Sequence, residues 1–146
     1  MNQALLAALH YLGAMVLFGG VLTQHMLLAP TMAAGTARKI ARIDMIFGIT
    51  AGVQILTGIS RMVLEKGPSF YTANPVFHAK MGVFVLIGLM SIYPTLRFLA
   101  WSRLAASQGE VSPPAGEFKR VMMIVRLELL LIVLLPFLAS MMARGL

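Results

Sequence analysis

The stretch from Ala4 to Leu28, ALLAALHYLGAMVLFGGVLTQHMLL, decides the fold. It holds no formal charge, and its polar interruptions are His10, Thr23, Gln24 and His25. At 1.5 Å per residue, about 20 helical residues cross the roughly 30 Å hydrocarbon layer of a bilayer, so this run is long enough to span it. It stops at Ala29-Pro30, where proline removes a backbone donor. A cleaved signal peptide opens with basic residues ahead of a shorter apolar core, and Met1-Asn2-Gln3 supplies none, so the run is read as a retained span.

Three further runs have similar length. The second covers residues 43–64, with Asp44 near its first turn and Arg61 near its far end, and is closed by Glu65-Lys66-Gly67-Pro68. The third follows Asn74-Pro75 and covers 76–97, with Pro94 expected to bend its last turn. The fourth covers 121–143 and contains Arg126, Glu128 and Pro136. Residues 102–117, rich in Ser, Gly, Pro and Ala, read as a flexible solvated loop. The expected fold is all-α: residues 1–146 form one transmembrane domain, an up-down-up-down four-helix bundle.

Composition agrees. Of 146 residues, 59% are hydrophobic and 12% charged, about half the charge of a soluble domain. The net charge of +7 does not indicate nucleic acid, because the basic residues sit at the ends of apolar runs and form no patch with interleaved aromatics. The absence of cysteine excludes disulfides, thiolate nucleophiles, iron–sulfur clusters and Cys-based zinc sites. No Ser-His-Asp set, phosphate loop, dinucleotide fingerprint or HExxH motif supports hydrolytic or nucleotide chemistry.

Basic residues in short loops set orientation. Arg38, Lys39 and Arg42 fall between spans one and two, and Arg97, Arg103, Lys119 and Arg120 between three and four, against chiefly Lys66 and Arg144 on the other side. The basic loops are expected in the cytoplasm and both termini outside, in a bacterial cytoplasmic (inner) membrane. Small residues let membrane helices approach: Gly13 and Gly20 in span one, and Gly48 with Gly52 in span two, are read as bundle packing, the second pair also as a homodimer face.

Polar groups inside a span are costly enough that each is a functional candidate. Near the outer face come His10, roughly 9 Å into span one, then Arg61, His78 and Lys80. Two imidazoles on different helices suit a b-type haem, with His10 and His78 as iron ligands. Arg61 has the geometry for bidentate carboxylate binding, and Lys80 either holds a propionate or snorkels to headgroups. Because His78 and Lys80 stand about 200° apart on a helix, at most one faces the pocket. The competing reading of a lone span histidine is hydrogen-bonded packing. Near the cytoplasmic face His25, Asp44, Arg126 and Glu128 read as an interfacial salt-bridge ring, with Asp44 favoured by a helix N-terminus and Arg126 paired to Asp44 or Glu128.

The chain resembles a family of uncharacterised bacterial four-span membrane proteins, a domain-of-unknown-function family. The stretches that carry the resemblance are His10-Tyr11-Leu12-Gly13, His25-Met26-Leu27-Leu28, Ala41-Arg42-Ile43-Asp44, Thr57-Gly58-Ile59-Ser60-Arg61, Asn74-Pro75-Val76-Phe77-His78-Ala79-Lys80, Ser91-Ile92-Tyr93-Pro94-Thr95-Leu96-Arg97-Phe98 and Arg126-Leu127-Glu128-Leu129-Leu130. More distantly, Ala8-Leu9-His10 and Phe77-His78-Ala79-Lys80 are similar to stretches of the HemJ family of haem-binding membrane protoporphyrinogen oxidases, and the architecture is similar to that of the CopD copper-resistance proteins. This resemblance implies His10 as a haem ligand and Lys80 as a porphyrin-site residue. Span one departs from it by lacking a tryptophan after the histidine and a basic aromatic-rich exit, which puts oxidase activity in doubt.

Three functions follow as expectations. The first is a haem- or porphyrin-related redox role with an outer pocket. The second is a non-enzymatic accessory subunit of a membrane complex or a small-solute carrier. The third is copper handling, suggested by twelve methionines but opposed by their scatter, since Met122-Met123 and Met141-Met142 point to different faces.

Overall fold

The computed structural model describes residues 2–145. Four long helices form the bundle: α1 (Asn2–Leu27), α2 (Ala34–Arg61), α4 (Pro75–Gln108) and α5 (Ala115–Ala143), with a five-residue helix α3 (Pro68–Thr72) between α2 and α4. Each long helix is long and apolar enough to cross a membrane. α1 packs on α2 and α5, and α4 packs on the same two, so the four close into a square with α1 opposite α4.

The core runs down the inside of that square through Leu17, Val21, Ile40, Phe98, Val121, Val125 and Ile132. Large apolar side chains also face outward, among them Leu5, Met15, Met26, Leu56 and Leu89. In water such a surface would drive aggregation. In lipid it is the solvated face, and helices suit it because every backbone group is bonded internally.

The helices run past the apolar stretches at the basic end. α2 starts at Ala34, so Arg38, Lys39 and Arg42 stand on its first turns, and α4 continues through Arg103 to Gln108. Much of 102–117, expected as a loop, is therefore ordered structure: helix to Gln108, then a turn at Gly109, a two-residue strand β2 (Glu110–Val111), and α5 from Ala115. Gly109 takes φ of 85°, a left-handed conformation that closes the helix with little cost only in glycine. β2 pairs antiparallel with β1 (Met32–Ala33), Met32 opposite Val111 and Ala33 opposite Glu110. Ala34 N donates to Gly109 O at 2.9 Å, and the Thr31 and Ser112 hydroxyls lie 2.8 Å apart. The two basic-end connections are thus one ribbon whose backbone groups satisfy each other, with Met32 and Val111 buried beneath it.

At the other end, α2 runs on through a π-helical turn, Met62–Lys66, and stops at Gly67 with φ of 79°. Asn74 caps α4, its Oδ1 accepting from Val76 N at 2.8 Å. Gln3 Nε2 donates to Leu64 O at 2.8 Å, which places the start of α1 beside the end of α2. Pro94 is buried inside α4, well before its last turn.

Two of the expected glycine contacts differ. A Cβ at Gly13 would overlap Gln54 Nε2, and one at Gly20 would meet Ile43 at 3.7 Å, so this face of α1 brings α2 close. Gly48 and Gly52 are exposed, and a Cβ at either would meet nothing within 4 Å. They face outward and do not pack the bundle, because α2 turns its Asp44, Phe47, Gln54 and Thr57 face inward instead.

Candidate functional site

The buried face of α1 carries both polar sites. His10, Gly13, Leu17, Val21, Gln24 and Leu28 recur at helical spacing, and His10 and Gln24 lie two heptads apart on one stripe. His10 therefore meets α2 near the end at which the chain starts, and Gln24 meets it near the basic end.

At the first junction His10 Nδ1 lies 2.8 Å from Thr57 Oγ1. The Thr57 hydroxyl has one proton, and its oxygen is also 2.8 Å from Val53 O and 3.3 Å from Gln54 O. A carbonyl only accepts, so the threonine proton points to the backbone and the proton between the side chains is on Nδ1. In the neutral ring Nε2 is then a bare lone pair. Gln54 Nε2 donates to the His10 carbonyl oxygen at 2.6 Å, and Gly58 leaves room for the imidazole edge: a Cβ there would lie 3.5 Å from His10 Cε1.

Charged groups gather around this imidazole. Lys80, Arg61 and Glu65 are all within electrostatic reach of it. Arg61 and Glu65, one turn apart, form a two-pronged ion pair with Nε to Oε1 at 2.6 Å and Nη2 to Oε2 at 3.2 Å. The guanidinium also stands 5.3 Å from the centroid of the Tyr11 ring. Lys80 is half-buried and has no ion-pair partner among the described residues. Tyr71, on α3, lies beside the Glu65 carboxylate. Its buried phenol is held above the usual tyrosine range, first by burial and then by the Glu65 carboxylate beside it.

Of the four residues expected at this end, His10, Arg61 and Lys80 come together. His78 does not join them: it is exposed, and its Nε2 bonds to Thr72 O at 2.8 Å, tying the start of α4 to α3. Arg61 is already engaged by Glu65, so among the described residues Lys80 is the free cation of the group.

The second junction also departs from expectation. Asp44 lies ten residues into α2, beyond the reach of its N-terminal dipole, because α2 starts at Ala34. Gln24 Nε2 donates to Asp44 Oδ1 at 3.1 Å. Arg126 pairs with neither Asp44 nor Glu128; its Nε faces His25 Nε2 at 3.3 Å on the exposed side, while Glu128 points inward and is 2% exposed. The salt-bridge ring is thus replaced by an outer Arg126–His25 contact and an inner set of Gln24, Asp44 and Glu128. Among the described residues the ion pair at this end is instead Arg97 with Glu117 at 3.4 Å, and Glu117 also accepts from Trp101 Nε1 at 2.7 Å.

A cleft of about 470 Å³ opens between α2 and α4, lined by Arg42, Asp44, Gly48, Ser91 and Thr95. Met15, Met26, Met45 and Met123 face outward, and no group of three or more His, Asp or Glu among the described residues is placed to hold a metal ion.

The family described as "Predicted membrane protein (DUF2214)" matches residues 2–146. The chain belongs to the DUF2214 family. The four helices of this DUF2214 protein agree with that description. No curated protein and no solved structure matches it.

Sequence reading passed over Gln24, Gln54, Thr57 and Glu65. The signal was present: Gln54, Thr57 and Arg61 fall at i, i+3 and i+7, one face of a helix, and Gln24 continues the His10 stripe by two heptads whereas His25 does not.

Proposed function

We propose that this protein binds an anionic planar cofactor of the haem class at the end of the bundle where the chain begins, through the Nε2 of His10. One observation carries the reading: the His10 Nδ1–H is spent on Thr57, which leaves Nε2 as an oriented lone pair beside a half-buried Lys80 that has no ion-pair partner among the described residues. Metal-binding histidines are commonly held in this way, the second nitrogen donating to a fixed acceptor that sets tautomer and ring angle. An iron porphyrin there would supply one-electron redox chemistry. The chain's own residues divide the work as follows. His10 supplies the donor atom, Thr57 orients it, Lys80 offers a cation to a carboxylate, and the Arg61–Glu65 pair with Tyr11 and Tyr71 forms the polar rim. His78 has no part in this site, so the reading is of a single protein ligand.

The test is the absorption spectrum of protein purified from haem-replete cells. A Soret band that is lost in His10→Ala and weakened in Lys80→Ala supports the reading, and a colourless, monodisperse wild-type protein overturns it. Gln54 favours a second reading, an accessory subunit in which His10 is a packing residue, because its amide staples α2 to the His10 carbonyl whatever the imidazole does. Co-purification of a larger assembly without pigment would select it.

The basic end is proposed to face the cytoplasm of a bacterial cell, with both termini outside, from the clustering of Arg38, Lys39, Arg42, Arg103, Lys119 and Arg120 at that end. The natural absence of cysteine makes this simple to test. An impermeant maleimide applied to intact cells should label Ser69→Cys and spare Ser112→Cys, and the reverse pattern inverts the topology.

A further inference from the structure

Asp44 on α2 and Glu128 on α5 are both buried in the bundle, 9% and 2% exposed, and close enough to act on each other electrostatically. Glu128 Oε1 is fully enclosed and has no hydrogen-bond partner among the described residues. Neither carboxylate forms an ion pair among the described residues. Two interacting carboxylates in a medium of low dielectric constant resist ionising together, and at neutral pH the least costly resolution is a proton held by one of them.

The surroundings leave that proton as the available positive charge. From α1, Gln24 donates an amide proton to Asp44, and His25 is turned to Arg126. From α4, Thr95 sets its hydroxyl beside Asp44, while Arg97 is held by Glu117. On α2 itself, Arg38 and Arg42 line the outer part of the cleft and are exposed. On α5, Arg126 is exposed and engaged with His25. Each of the four long helices thus contributes one polar side chain here: Gln24, Asp44 and Glu128 buried, and Thr95 half-buried in the cleft wall. The cleft of about 470 Å³ between α2 and α4 has Asp44 in its wall, with Thr95 beside it and Ser102 as a polar step toward the basic end.

We propose that Asp44 and Glu128 form a proton-binding pair in the core of the bundle, which exchanges its proton with solvent at the basic end through the α2–α4 cleft. Uptake takes one proton from water in the cleft and turns the doubly charged pair into a singly charged one; release returns the proton to water. The site is separate from His10 and does not depend on the cofactor reading.

Infrared spectroscopy of the full chain in phospholipid nanodiscs tests this without a variant. The chain has five acidic side chains, Asp44, Glu65, Glu110, Glu117 and Glu128. Glu65 and Glu117 are paired with arginines, and Glu110 is exposed. A protonated-carboxyl stretching band at neutral pH therefore reports the Asp44–Glu128 pair. The expected result is a band present at neutral pH, lost in alkali, downshifted in D₂O, and absent from Asp44→Asn/Glu128→Gln. The absence of the band from wild-type protein at neutral pH, or its survival in a folded double variant, overturns the proposal. So does its loss on replacing choline chloride by sodium chloride at constant pH, in favour of a metal-cation site. Ser102 lines the cleft on α4 between Thr95 and the basic end. Ser102→Leu should slow the D₂O exchange of the band, and an unchanged rate overturns the access route.

Discussion

His10 Nδ1 lies 2.8 Å from Thr57 Oγ1 across the α1–α2 contact, and the proton between them belongs to the imidazole because the threonine has given its own to the Val53 carbonyl. This fixes one tautomer by backbone geometry alone. Thr57→Val keeps the side-chain shape and removes the acceptor, so it should lower stability by about 1 kcal/mol, the scale of hydrogen bonds between membrane helices. Thr57→Ser should restore most of the loss. Thermal unfolding in detergent measures both, and a Thr57→Val protein as stable as wild type would show that the bond contributes nothing.

Gly13 and Gln54 compete for one space, since a Cβ at Gly13 would overlap the Gln54 amide that bonds the His10 carbonyl. Gly13→Ala should cost about 1–3 kcal/mol in the wild-type background by overpacking. In a Gln54→Ala background it should add less than about 0.5 kcal/mol, because the obstruction is gone. Equal costs in both backgrounds would place the steric conflict elsewhere.

At the basic end, Glu117 accepts from both Trp101 and Arg97. Glu117→Ala leaves the buried indole N–H without its acceptor and should cost roughly 1–3 kcal/mol, with Glu117→Gln closer to wild type. Trp101 is the one tryptophan of the chain. Its emission should shift in Glu117→Ala and stay unchanged in Arg61→Ala at the far end of the bundle.

Tyr71 lies outside the long helices, and its phenol is held above the ordinary value by burial and by Glu65. The neutral phenol is thus favoured by folding. Its contribution is fully present below the unfolded value of about 10 and is lost as pH rises through the higher folded value. Stability should fall on the alkaline side, and Tyr71→Phe should flatten that limb. A denaturation series above neutral pH with identical slopes for both proteins would refute the assignment.

Spans and ends were legible because they depend on local sums. A run such as 4–28 is long and apolar whatever its neighbours do, and Arg38, Lys39 and Arg42 mark an end by composition. The boundaries at 102–108 were not legible, since polar residues that look like loop continue α4 once the helix leaves the hydrocarbon layer. His10 was found by its residue type, and Thr57 was passed over because a threonine in a span is ordinary until an imidazole faces it.

The sequence by itself determined that four helices cross a membrane, where they begin to be apolar, and which end is basic. Only the tertiary structure decided which side chains meet: His10 with Thr57, Gln24 with Asp44, Arg126 with His25 instead of a carboxylate, and Gly48 turned outward. The physical reason is that lipid and helix neighbours are both apolar, so hydrophobic periodicity barely separates the buried face of a span from its outer face. The rotation of each helix is set instead by close packing and by the few polar groups that must find one another inside the bundle.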